Sequence, residues 1–584
     1  MGRVGFVAVV AGVLGLACGP AQNPMDGGVD GGADVGVGPI GCANFPERLD
    51  ADYTVAKGCW LVLKTPTLAA GITLTIAPGA KLVFSSETAL LIDAQQSLQA
   101  VGTSEEPIVL TGALPVRGHW RGLKFTGTSV LSRLDYVTVE YGGATRADTE
   151  AAAIKLAADS RGVRASISHT TMRESQGFGL YLTGSAVVPA FASNVMTKNT
   201  LGPANVDAEV VGVLDSTSSF TGNDKDEVVV RGSRLSTSAT WDDVGVPYHL
   251  KASLASTAGA KWTIKAGARL IMPPETGITI SGAASALIAE GTAEKPIVFT
   301  GETQTRGAWE GIALSSNDTD NLLRHTTVEY AGNTSSNAQA AAVTATADSS
   351  GVQVKLDHLT VRQSQGFGLK LGGSALVPVF AGNVLTQNAL GPAMIDSNAA
   401  HQLGPDSTYT GNDVDKVLID AQWVSGAVTW RALSVPYVID GNVSAQRVWT
   451  LEPGVTLEMM PMTSIRVDGD LAGFHAVGTQ SKPITITGVN KSRGAWDGID
   501  FDTTLNTANA LEYCVVEYGG GATRLGWTGM IYAHADSHGV RVSVTNSTIR
   551  HSGVWGIYMS RSQTGDVSNN TYADNALGDY LHEP

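Results

Sequence analysis

Aromatic side chains make up only 6% of this 584-residue chain and charged ones only 16%. No long run carries the 3.6-residue apolar spacing of an amphipathic helix, which argues against helix bundles. Lys and Arg number 39 against 54 Asp and Glu, a formal net charge of -15. This balance disfavours nucleic acid and anionic membrane surfaces as partners, since both need clustered cations to neutralise phosphate. No phosphate-binding loop and no CxxC metal frame occurs. The apolar stretch from Val4 to Ala17 is too short to cross a bilayer.

Glycine is abundant, with 68 residues, and apolar residues alternate over short stretches. Examples are Ile72-Thr-Leu74-Thr-Ile76 and Val137-Thr-Val139-Glu-Tyr141, bounded by Gly, Pro, Asn and Asp clusters. This is a strand pattern. A long block recurs three times, as RGHWRGLKF, RGAWEGIAL and RGAWDGIDF around Trp120, Trp309 and Trp496, followed by VTVEYGG, TTVEYAG and CVVEYGG. The interval from one of these tryptophans to the next is far too long for a single hairpin or blade, so each copy contains many smaller units. Short strands without crossover helices leave antiparallel hairpin stacks, a propeller or a climbing parallel coil. The coil is favoured by asparagines at two repeat positions: Asn194, Asn383 and Asn570, then Asn199, Asn388 and Asn575. Turn asparagines adopt left-handed conformations and can hydrogen-bond from coil to coil.

These units, APGAKLVF at 77–84, AVGT with a following PI, RGxWxGL and VEYGG, resemble those of right-handed parallel β-helix lipoproteins of the pectate-lyase-like superfamily. The resemblance implies an all-β fold: a single solenoid of roughly 25 coils of about 22 residues, built from three long internal repeats. It covers roughly Cys59 to Leu577. The segment Leu14-Gly-Leu-Ala-Cys18 likewise resembles a bacterial lipoprotein signal, with Cys18 lipidated. The expected organisation is a signal peptide at 1–17, a flexible Gly/Asp-rich linker at 18–41, and repeats at 42–232, 233–420 and 421–584, the last one truncated. The expected address is the outer membrane of a Gram-negative bacterium, facing the periplasm or the surface, with membrane contact only through the lipid. Cys42 and Cys59 are close enough to pair, closing a short loop at the start of the body. Cys514, where other copies have Val137 and Thr326, reads as a small strand residue.

Residues present in every copy read as scaffold. Arg117, Arg306 and Arg493 precede Glu140, Glu329 and Glu517 by close to the length of one coil, so each pair is expected to form an inter-coil ion pair. The three tryptophans read as corner residues covering the core rather than as a line of sugar platforms. TGNDKD at 221–226 recurs as TGNDVD at 410–415. Asp224, Asp226, Asp413 and Asp415 are hard oxygen donors and candidate calcium ligands, although an Asn-Asp turn accounts for the same pattern.

The third copy is the most individual. Asp500 and Asp502 stand where the first copy has Lys124 and Thr126, on one strand face, and His534-Ala-Asp536-Ser-His538 follows. Carboxylates with imidazoles are the donor set of a metal site or an acid–base pair. Asp536 recurs as Asp159 and Asp348, whereas the histidines do not. The NTD and GHG motifs of polygalacturonases are missing; Ser537-His538-Gly539 comes nearest. The leading expectation is therefore a non-enzymatic envelope rod that binds a polysaccharide or an envelope protein, with no cofactor unless calcium. The alternatives are a polysaccharide lyase or glycoside hydrolase, and a structural component of an envelope complex.

Overall fold

The computed structural model describes residues 41–583 apart from 94, 147, 158–161, 258, 336, 347–350, 522–525 and 535–537. The signal peptide, Cys18 and almost all of the expected linker lie outside the described residues. Residues 41–584 form one compact unit. It is a right-handed parallel β-helix, in which neighbouring strands run parallel and three sheets wrap one core.

Like residues stack in register from coil to coil. Leu82, Leu110, Val139, Met172 and Met196 follow one another along one sheet, each fully buried. Each contributes on the order of 1.5–3 kcal/mol by leaving water. A nearly continuous apolar core results, as expected where both strand edges are paired and one face is dry. Cys42, just before the first strand, Ala43–Asn44, is disulfide-bonded to Cys59 in the partner strand, Gly58–Val62.

The asparagine positions are hydrogen-bond ladders. Asn194 accepts from the Thr170 N–H and donates to the Ile167 carbonyl, and Asn199 repeats this with Ser175 and Met172. Asn383, Asn388, Asn570 and Asn575 do the same in the later copies. Each amide thereby satisfies backbone groups that the turn leaves unpaired.

The copies are not stacked in line. In the first, Ile108–Gly112, Val137–Glu140 and Thr171–Arg173 belong to a seven-stranded sheet. Their counterparts Ile297–Gly301, Thr326–Glu329 and Thr360–Arg362 lie in a different, twelve-stranded sheet, which in the first copy holds the next strand of each coil, Leu123–Phe125, Ala152–Leu156 and Phe178–Leu182. The third copy shifts again, with Ile484–Gly488 and Cys514–Glu517 continuing the sheet that holds Gly311–Ser315 and Ala341–Ala345 of the second. Each copy therefore starts one face further round the prism. Equivalent positions in the three copies point in three directions.

Candidate functional site

The shared motifs resolve into scaffold. Trp120, Trp309 and Trp496 are fully buried, and each indole N–H donates to the carbonyl of Glu140, Glu329 or Glu517 at 2.9, 2.9 and 3.0 Å. That bond ties RGxWxG to VEY. The last glycine of the motif has positive φ in every copy, and at Gly498 a Cβ would meet the Met530 carbonyl oxygen at 2.6 Å. Only glycine fits so close to the next coil.

The expected Arg–Glu pairs are corrected. Glu140, Glu329 and Glu517 are buried and pair with Arg173, Arg362 and Arg550 at 2.6, 2.7 and 2.7 Å. These arginines lie one coil later in the chain, on the strand paired with that of each glutamate, because coils here are longer than expected. Arg117 instead reaches across several coils to Glu174 and Asp224, at 3.0 and 2.7 Å. Arg306 reaches Asp413 at 2.6 Å, and Arg493 pairs with Asp574.

This strut accounts for the TGND repeat. Asn223 extends the ladder of Asn199, Asp224 receives Arg117, and Asp226 accepts the Gly222 and Asn223 N–H groups. Asn412, Asp413 and Asp415 repeat the arrangement. The four candidate calcium ligands are thus engaged separately and do not converge.

The third-copy residues do converge. Strand Gly498–Asp502 pairs with Ser464–Asp468 on one side and Gly529–His534 on the other. Ile499 and Phe501 point into the core, so alternation turns Asp500 and Asp502 to the outer face. Register then sets Arg466 opposite Asp500, Tyr532 beyond it, and His534 beyond Asp502. Arg466 Nη2 lies 2.9 Å from Asp502 Oδ2, and its Nε 3.7 Å from Asp500 Oδ2. His534 Nε2 stands 3.2 Å from Asp500 Oδ1, and its Nδ1 3.8 Å from Asp502 Oδ1. His538 is exposed in the following turn and outside this group, and Asp536 lies outside the described residues.

Asp500 is 2% exposed although it faces outward, covered by its neighbours. Burial raises its pKa above the usual carboxylate value, against the opposing pull of His534 and Arg466. The adjacent Asp500 carboxylate raises His534 in turn, and burial with the Asp500 charge raises the Tyr532 phenol. Tyr532 packs against His534, Tyr558 and Trp527, with ring centroids 4.7, 5.3 and 6.4 Å away.

A groove opens beside the cluster on the same sheet. It has a volume of about 540 Å³ and is lined by Trp423, Gln446, Arg447, Arg466, Asp468 and Asp470, among others. Trp423, 53% exposed, begins a register column that continues through Ser444, Arg466, Asp500, Tyr532 and Tyr558. Sequence reasoning found Asp500, Asp502 and His534 but missed Arg466, Tyr532 and Trp423. The signal was available, since neither of the other copies has Tyr at the position of Tyr532, where Lys155 and Thr344 stand.

The sequence model of one family, described as a pectate-lyase like beta helix domain, matches residues 233–356. The chain has the parallel β-helix fold. Among solved structures it is similar to a point mutant of AlyGC, a PL6 family alginate lyase, at 10% identity and a TM-score of 0.24, covering 89% of this chain and 100% of that one. No curated protein matches. The expectation of a non-enzymatic binding rod is corrected by the family match to a pectate-lyase like beta helix domain, which favours the lyase alternative over it.

Proposed function

We propose that the outer face of the third copy cleaves a uronate-bearing polysaccharide by β-elimination. One observation carries this reading: a sugar-sized groove with an exposed tryptophan runs in register into a cluster of ionisable groups. Indole and phenol rings offer apolar faces for sugar rings, and Trp423 and Tyr558 flank the cluster along the column.

Elimination removes the proton next to the uronate carboxylate. The C–H electron pair becomes a C=C bond, the C–O bond to the next sugar breaks, and the leaving oxygen takes up a proton. Arg466, at the junction of groove and cluster, orients the carboxylate through its fork of N–H donors. Tyr532, one rung beyond Asp500, is the group placed to act from its phenolate, which takes the proton from carbon and returns it to the leaving oxygen, so the rate rises with pH toward the raised phenol pKa. Asp500, Asp502 and His534 form the charged floor beneath. A lipid at Cys18, if attached, would hold this activity at the envelope.

The experiment is to incubate the purified chain with pectate, alginate and other acidic polysaccharides, following ultraviolet absorbance and reducing ends. Elimination yields both signals. Reducing ends without absorbance would assign hydrolysis instead, and neither signal on any polymer would refute the proposal.

A further inference from the structure

The face that is to hold a polyanion carries three carboxylates, Asp468, Asp500 and Asp502, around one guanidinium, Arg466. As it stands it repels an acidic sugar more than it attracts one. At its centre, the carboxylate of Asp500 is 3% exposed, and its Oδ1 accepts no hydrogen bond among the described residues. His534 Nε2 stands 3.2 Å away. Asp502 divides its two oxygens. Oδ2 takes Arg466, while Oδ1 takes the Thr503 hydroxyl at 2.8 Å and faces His534. One donor atom from each of Asp500, Asp502 and His534 lies within 4.8 Å of the other two.

The trio is confined to the third copy. At its three positions the first copy has Lys124, Thr126 and Ala157, and the second has Ala313, Ser315 and Thr346. Neither supplies an imidazole or a carboxylate there. The scaffold does not need these side chains.

We propose that Asp500, Asp502 and His534 bind one divalent transition-metal ion of the zinc or manganese kind. Calcium takes six to eight oxygen ligands, whereas an imidazole with two carboxylates suits a smaller and softer ion. Three protein ligands leave a position open toward the groove for water or a substrate oxygen. Thr503 holds the second carboxylate in orientation, as outer partners of metal ligands do. The ion cancels the excess negative charge of the face, three carboxylates against one guanidinium. Its role in handling uronates rests on the elimination reading, whereas its binding does not.

The full chain, stripped with a chelator, is titrated calorimetrically with zinc, manganese or calcium, and its thermal midpoint is followed in parallel. One zinc or manganese per chain should bind and raise the midpoint. Asp500→Asn and His534→Ala should each weaken binding by roughly 100-fold. Asp500→Asn keeps the shape of the side chain and serves if His534→Ala fails to fold. No stoichiometric uptake, undiminished uptake by both variants, or a preference for calcium would overturn the site. Stoichiometric uptake without cleavage of any polymer would uphold the site and sink the elimination reading. Cleavage by a chain that takes up no metal would do the reverse.

Discussion

Arg466 and Asp500 stand opposite each other on adjacent strands, the guanidinium Nε 3.7 Å from a carboxylate that is 3% exposed, although a whole coil separates them in the chain. The parallel ladder brings them together, and the groove of Trp423 opens on the Arg466 side. Binding and chemistry therefore share one column of side chains, and this makes their contributions separable by substitution.

Trp423→Ala should raise KM by roughly 10-fold, equivalent to about 1.4 kcal/mol, with kcat little changed. Trp423 is half exposed and leaves the core untouched, so the thermal midpoint should stay where it is. Steady-state kinetics and a melting curve check both. A collapse in kcat at unchanged KM would move the tryptophan from binding into the chemistry.

Arg173→Met should destabilise the chain more than Arg117→Met. The former leaves the buried Glu140 carboxylate without its cation, at a cost of about 2 kcal/mol once the solvent access of Arg173 is allowed for. The latter cuts a strut whose partners are more exposed. Comparing the two melting curves tests which arginine serves Glu140.

Asn199→Ala removes a fully buried amide that serves the Ser175 N–H, the Met172 carbonyl and Asn223. The groups left unpaired should cost roughly 2–4 kcal/mol. The same change at Asn575, half-buried in the last coil, should cost less. Denaturant unfolding of the two variants gives the ranking.

How much of this was legible in the sequence depended on the range of each interaction. The asparagine ladders, the disulfide and the buried tryptophans could be read because each needs only its residue type and a repeat position. The trio of Asp500, Asp502 and His534 showed as a departure of one copy from the others. The partners of Glu140 and Arg117 could not be read, because they depend on coil length. That length varies along the chain: the step between stacked partners is short from Val228 to Tyr248 and much longer from Ile288 to Leu322. A single fixed coil length therefore pointed to the wrong arginine. The one-face rotation of successive copies was hidden for the same reason, and with it the separation of equivalent patches onto three faces.

Acid should weaken the first copy at Asp148. Burial works to raise this carboxylate, but Lys155 at 2.9 Å and Lys124 at 3.2 Å outweigh it and hold it below the usual 3.8. A group lowered in the folded state adds stability that is present above pH 3.8 and lost as pH falls through its folded value. Lys155→Met should flatten that part of the melting profile below pH 3.8, and an unchanged profile would show that the lysine does not hold the carboxylate.

The most direct test of the central claim is the rate of unsaturated-product formation from an acidic polysaccharide, measured for the unaltered chain, for Tyr532→Phe and for Asp224→Asn. Tyr532→Phe should reduce the rate by at least about 10²-fold while the chain stays folded. Asp224→Asn, which touches only the Arg117 strut, should leave it unchanged. Equal rates for all three chains, or no product from the unaltered one, would contradict the account.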